Sequence, residues 1–310
     1  MIRSMQARVL GAAAGGGFPQ WNSNADGCRR ARSGDPHAEP RTQASIAVSA
    51  DGKQWFLLNA SPDLRQQIEA TRDLRPCWGL RSSPIAGVVL TGGDVDAIAG
   101  LLTLRERHAF TVYATARIHD VLNANPIFEV LARDVVARKN VALRTPVMLT
   151  LPDGSPSGLS LELFPVPRKI PLYLEQTNGA PPIVEGEDTV GAMVTDGYHR
   201  LFFIPGCAAM TDTLADRLRG ADVVFFDGTL WTDAEMVRAG IGNKTGLRMG
   251  HMSVSGPNGT IAAFKRIEVC RKILLHINNS NPILLDDSPE RAKVEAESWE
   301  VAYDGMEIQV

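Results

Sequence analysis

Four acid or histidine positions stand where apolar runs end in polar turns, the arrangement from which a convergent site can be built. The first is Leu90-Thr-Gly-Gly-Asp-Val-Asp-Ala-Ile-Ala-Gly100, in which Asp94 and Asp96 follow an apolar strand and open a helical pattern. Two carboxylates beside a helix start can hold a cation or can merely cap the helix, since Asp is favoured there for reasons unrelated to metals. The second is Leu274-Leu-His-Ile-Asn-Asn-Ser-Asn-Pro282, where His276 closes an apolar strand. Neutral imidazole is the commonest metal-ligating side chain, although a lone histidine there also suits a satisfied core or loop role. The third is Asp227 after Phe225-Phe226, and the fourth is His251 in Met249-Gly-His-Met-Ser253. Open α/β sheets place ligands outside the carboxyl ends of their strands, so these positions suit one site.

The elements that must position them follow from hydrophobic periodicity. Gln6–Leu10 reads as a strand that runs into Gly11-Ala-Ala-Ala-Gly-Gly-Gly17. That loop has neither the GxGxxG spacing of dinucleotide sites nor the Lys-Ser/Thr of a P-loop, so its glycines are read as letting the backbone turn. Ser45–Ser49 and Gln54–Asn59 flank Asp51-Gly52, a hairpin signal. Ser61-Pro62 reads as a helix start with Ser as cap. Ile85–Thr91 is a strand, Asp96–Arg107 a helix, Thr111–Ala114 a strand, and Arg117–Leu131 a helix broken near Pro126.

In the second half, strands are expected at Leu159–Val166, Val190–Thr195, Arg200–Ile204, Asp222–Phe226 and Lys272–Ile277. Helices are expected at Thr211–Arg219, Gly259–Arg266 and from Ser288-Pro289 onward. Trp299–Tyr303 and Met306–Val310 read as a closing hairpin over Asp304-Gly305. Hairpins at both ends with helices between argue for mixed sheets covered by helices. One domain spanning residues 1–310 is expected, with no linker or repeat inside it.

Composition excludes several classes. With 32 basic against 35 acidic side chains, a net charge of −3 gives no basic field for nucleic acid. No apolar run approaches the roughly 18 residues that span a bilayer. The start carries Arg3 but is followed by a Gly/Ala stretch rather than a signal core. Cys28, Cys77, Cys207 and Cys270 are scattered, forming neither a disulfide framework nor a zinc knuckle, which makes a reducing cytoplasm the simplest reading.

Several blocks resemble one known family. Gly11-Ala-Ala-Ala-Gly-Gly-Gly-Phe-Pro-Gln-Trp-Asn22, Arg41-Thr-Gln-Ala-Ser-Ile-Ala-Val48 and Leu58-Asn-Ala-Ser-Pro-Asp63 look like blocks of the B-protein family of pyrroloquinoline quinone (PQQ) biosynthesis. So do Gly100-Leu-Leu-Thr-Leu-Arg-Glu106, Asp227-Gly-Thr229, Met249-Gly-His251 and His276-Ile-Asn-Asn279, in order over nearly the whole chain. The resemblance implies the αββα sandwich of the metallo-β-lactamase superfamily, two mixed sheets flanked by helices. It also implies an oxidoreductase: a cytoplasmic hydroxylase that uses Fe(II) and O2 on the tyrosine ring of a Glu–Tyr cross-linked, peptide-derived precursor. An alternative for the same family is a non-catalytic carrier in transport of PQQ or its precursor to the periplasm. A two-metal hydrolase is disfavoured by the loss of the superfamily's paired histidines. A homodimer is left open.

Two departures from the pattern matter. Against the superfamily motif HxHxDH, Gly92 and Asp94 stand at the first two histidines, Asp96 matches the aspartate, and Ala97 stands where the family keeps histidine. The metal set implied is Asp94, Asp96 and His276, with Asp227 and His251 behind it or acting as acid and base. It inverts the 2-His-1-carboxylate arrangement of non-haem iron oxygenases. The second departure is at Trp21–Cys28, where the family carries three cysteines consistent with a structural zinc. Here Cys28 alone remains, and one thiolate cannot replace a four-ligand site, so no zinc is expected in this loop.

Overall fold

The computed structural model describes residues 5–169 and 183–310. The Arg3-bearing start of the chain lies outside the described residues. Among the described residues, fourteen strands form two sheets. The first half supplies β1 (Gln6–Gly11), β2 (Ser45–Ser49), β3 (Trp55–Leu58), β4 (Ile85–Val89), β5 (Phe110–Ala114) and β6 (Val136–Asn140). The second supplies β7 (Val147–Thr150), β8 (Pro156–Pro165), β9 (Val190–Thr195), β10 (Arg200–Ile204), β11 (Ala221–Asp227) and β12 (Val269–Leu275), followed by β13 (Glu300–Val301) and β14 (Glu307–Gln309).

The first sheet has the order β14-β1-β2-β3-β4-β5-β6 and the second β13-β12-β11-β10-β9-β8-β7. Both are mixed. β1, β2 and β3 pair antiparallel, whereas β3 to β6 run parallel. β8, β9 and β10 pair antiparallel, whereas β10 to β13 run parallel. The Asp51-Gly52 and Asp196-Gly197 turns join antiparallel neighbours as expected, with Gly52 and Gly197 in the left-handed region. Strand alternation decides which side chains meet. Leu201, Phe203, Val223, Phe225 and Ile273 of the second sheet join Val9, Ile46, Leu57 and Val88 of the first in one buried cluster. Their neighbours Phe202, Ile204, Val224 and Phe226 face outward into a second cluster with Leu214, Phe264 and Val294 from the covering helices.

Four expectations need correction. The C-terminal pair is not a hairpin: β13 pairs with β12 in the second sheet, and β14 pairs with β1 in the first. Asp304-Gly305 is therefore a crossover between sheets. It is pinned there because the Asp304 carboxylate accepts from Ala12 N at 3.1 Å and from Thr42 N and Oγ1 at 2.7 and 2.6 Å. The helix expected at Ser61-Pro62 begins at Leu64. Ala60 is held by the site helix instead, its N donating to Ala97 O and its O accepting from Gly100 N. The Asp96–Arg107 helix is one α turn, Val95–Ile98, followed by a tighter 3-10 stretch, Ala99–Leu104. A Cβ at Gly100 would lie 2.1 Å from Ser61 O, so this close approach requires glycine. The strands β6 and β7 were missed. β6, Val-Ala-Arg-Lys-Asn, is a polar edge strand without clean alternation, and β7 is the short edge strand of the other sheet. Among the described residues, no helix is long and apolar enough to cross a membrane.

Candidate metal centre

The parallel halves of the two sheets bring their strand ends together at one edge of the sandwich. Asp94 and Asp96 follow β4, Asp227 ends β11, and His276 follows β12. His276 Nε2 lies 2.8 Å from Asp96 Oδ2. Asp94, Asp96, Ala97, Arg168 and His276 line one narrow pocket with about 10 Å³ of free volume, on the scale of a single water or ion. Asp94 does not use its side chain to cap the helix that it starts. Its carboxylate instead faces Arg168, with Oδ2 3.5 Å from Nη2.

His276 itself has a φ of +58°. A non-glycine residue in the left-handed region is uncommon and characteristic of positions held by their surroundings. The holding groups are visible. Ile277 N donates to Ala12 O, and Ala14 N donates to Ile277 O, so the loop after β1 is stitched to the residue beside His276. That loop is the glycine run. Gly16 and Gly17 take positive φ, as a tight turn demands, and Gly15 lies against Asp96, its Cβ position 3.7 Å from Oδ2.

Behind His276 the residues Asp227, Thr229 and His251 form a buried group. His251 Nδ1 is 2.7 Å from Asp227 Oδ2. The Thr229 hydroxyl lies 2.6 Å from Asp227 Oδ1, 2.8 Å from His276 Nδ1 and 3.0 Å from His251 Nδ1. A hydroxyl has one proton to give. Donating it to the Asp227 carboxylate leaves the oxygen as acceptor for the His276 Nδ1–H, while the His251 Nδ1–H donates to Asp227. Both imidazoles then carry their Nδ1 proton inward. Cys207 N adds a 2.8 Å donor to Asp227 Oδ2 and Thr229 N a 3.0 Å donor to Oδ1. The two rings are stacked, with centroids 5.2 Å apart and planes at 13°.

Electrostatics follow this geometry. Burial pushes the Asp96 carboxyl upward, but the His276 contact, with the Arg168 charge behind it, outweighs burial and holds it well below the usual range. Burial likewise raises Asp227, and His251 and Thr229 overcome it, so Asp227 stays ionised. Burial lowers His251, aided by the positive Arg168 and opposed by Asp227, which keeps the ring neutral. The Cys207 thiol is pushed up to about 12 by burial and the Asp227 charge, which leaves it inert.

Of the five expected residues, the structure joins Asp96 to His276 directly and joins Asp227 and His251 to His276 through Thr229. Asp227, His251 and His276 each offer a donor atom within 4.8 Å of the others. Asp94 shares the pocket wall, but its ion-pair partner is Arg168. Thr229 and Arg168 were not singled out. Thr229 stood inside the Asp-Gly-Thr block, whereas Arg168, between Pro167 and Lys169, carries no local signal.

A family model described as a beta-lactamase superfamily domain matches residues 54–277. The chain is 63% identical over 300 residues to the coenzyme PQQ synthesis protein B of Gluconacetobacter diazotrophicus, covering 97% of this chain and 98% of that protein. This chain belongs to the PQQ synthesis protein B family. Its relative in Xanthomonas campestris pv. campestris is 53% identical, covering 99% of this chain and all of that protein. The crystal structure of Zn(2+)-bound PqqB from Methylobacterium extorquens superposes with a TM-score of 0.94 at 50% identity, covering 98% of this chain and 100% of that one. Family membership and the two mixed sheets flanked by helices agree with the resemblance read from the sequence.

Proposed function

We propose that this protein is the metal-dependent hydroxylase of the PQQ route, adding oxygen to the tyrosine ring of a Glu–Tyr cross-linked precursor derived from a small peptide. The observation that carries the reading is the Asp96–His276 pair. Two donors of the right types lie 2.8 Å apart in a pocket of ion size. Bonds of about 2.1 Å at a right angle put adjacent donors about 3 Å apart, so this pair fits one first-row divalent ion. A relative at 50% identity is Zn(2+)-bound, which supports a metal-binding protein. Asp96 and His276 would hold the ion, and Asp94 would border it.

Fe(II) would supply the redox chemistry, consuming one O2 per hydroxylation with two electrons from an external reductant. The chain's own residues do the rest. The Thr229 hydroxyl keeps His276 Nδ1 protonated, which turns Nε2 toward Asp96. The Asp227–His251 pair is the acid/base group of this reading, Asp227 lying 2.7 Å from His251 Nδ1 and fixing the ring. The narrow pocket keeps bulk water from the reacting atoms. Soluble precursor, O2 and no nucleic acid are the expected partners, and a cytoplasmic location is part of the same proposal.

One observation favours a second reading. Ala97 places a methyl group on the pocket wall, so one imidazole of the family pattern is missing. A carrier for PQQ or its precursor would need no such ligand. The test is incubation with Fe(II), O2, a reductant and the cross-linked Glu–Tyr substrate, followed by mass spectrometry. Oxygen incorporation supports the hydroxylase. Unchanged substrate together with tight PQQ binding supports the carrier.

A further inference from the structure

The Arg168 side chain is only 12% exposed, and one of its nitrogens sits between two metal-type donors. Nη2 is 3.3 Å from His251 Nε2 and 3.5 Å from Asp94 Oδ2. A guanidinium keeps its protons and has no lone pair, so at His251 it is the donor. His251 gives its Nδ1 proton to Asp227 and turns the bare Nε2 to Arg168. A neutral imidazole lone pair and a carboxylate oxygen thus converge on one cationic nitrogen. Those are donor types that hold a divalent ion.

The slot around this side chain is built for it. A Cβ at Gly206 would lie 2.5 Å from Arg168 Cζ and 2.6 Å from Nε and Nη1. A Cβ at Gly250 would lie 3.1 Å from Arg168 Cγ, and Gly250 has a φ of +83°. The Arg168 backbone exchanges hydrogen bonds with Val184 at 3.2 and 3.1 Å. Two residues without side chains and a backbone bridge fix where the guanidinium goes.

We infer that the Arg168 guanidinium holds the place of a second metal ion between Asp94 and His251, so that the pocket accepts one divalent ion, at Asp96 and His276. The inference rests on the metal reading proposed above. Charge agrees with it. Asp94, Asp96 and Asp227 bring three negative charges, Arg168 offsets one, and one divalent ion offsets the other two. A second divalent ion would leave an uncompensated double charge in a buried pocket, against a fixed guanidinium.

The test is anaerobic Co(II) titration of chelator-treated protein, followed by calorimetry and visible absorption. Wild type, Arg168→Met, Arg168→Lys and an Asp96→Asn control are compared, with the control separating pocket binding from binding at the exposed Cys77 and Cys270. Wild type and Arg168→Lys are expected to take one equivalent in the pocket. Arg168→Met is expected to take two, the second disappearing when Asp94→Asn is added. Should Arg168→Met fail to fold, Arg168→Gln removes the charge while keeping a polar side chain. A folded, uncharged variant that still takes one equivalent overturns the inference and leaves the metal reading standing, as does a second equivalent indifferent to Asp94→Asn. No pocket-bound ion in any of the proteins overturns both.

Discussion

His276 and Asp96 are 180 positions apart in the chain, yet His276 Nε2 lies 2.8 Å from Asp96 Oδ2 across the edge where the two sheets meet. The contact has a pH signature in chelator-treated protein. Asp96 is held below its ordinary value of 3.8, so its contribution to stability is present above about pH 4 and is lost as pH falls toward 2. Comparing urea denaturation of wild type and Asp96→Asn should show a deficit of about 2 kcal/mol at pH 5 that shrinks toward pH 2. A deficit independent of pH would show that the pair is not ionic.

Thr229 fixes the orientation of both imidazoles. Thr229→Val leaves buried polar groups on Asp227 and His276 without their partner, costing about 1–3 kcal/mol. It should also weaken Fe(II) binding by about 10–100-fold, the usual effect of losing a group that orients a metal ligand. Thr229→Ser should restore most of both. Titration of the three proteins decides it, and a Ser variant as weak as Val would point to packing rather than to the hydroxyl.

Ala97 is buried in the first turn of the Val95–Ile98 helix and lines the pocket. A methyl group offers no lone pair. Ala97→His should raise Fe(II) affinity by about 10-fold or more, on the scale of gains and losses around metal ligands, and should raise turnover with it. Parallel binding and hydroxylation assays make the comparison. Equal affinity and equal rate would show that position 97 is irrelevant in this protein.

Cys28 is buried in the outer cluster with Phe18, Ala31 and Ile283, and its Sγ contacts Asn279 Oδ1 at 3.6 Å. Cys28→Ser should leave the metal content of purified protein unchanged. A stoichiometric zinc lost on this substitution would mean that distant groups such as His37 complete a site there.

Gly100 touches the Ser61 carbonyl where a methyl group has no room. Gly100→Ala should cost about 1–3 kcal/mol or more, as overpacking against rigid backbone does. Because one buried cluster draws on both sheets, residues 1–310 are expected to melt as one domain. Calorimetry should show one transition for wild type, shifted lower in the variant. Two separate transitions in wild type would contradict the single domain.

Most strands were legible because alternation and Asp-Gly turns are local signals, as at Asp51-Gly52 and Asp196-Gly197. Asp96, Asp227 and His276 were legible as acids and an imidazole after apolar strands, the chemistry available at strand ends, whereas His251 follows the short helix Gly246–Met249 rather than a strand. The chain order of blocks such as Asp227-Gly-Thr229 and His276-Ile-Asn-Asn279 carried the family. Local pattern could not decide partners at a distance. The final strands looked like a hairpin, but Asp304 ties the crossover to Ala12 and Thr42, sending β13 to one sheet and β14 to the other. Asp94 looked equivalent to Asp96 in sequence, and a spacing of two positions turns it to Arg168 instead of His276. Arg168 and Thr229 gained their roles through contacts 83, 22 and 47 residues away. Such contacts depend on where folding places whole strands, and so only the tertiary structure decided them.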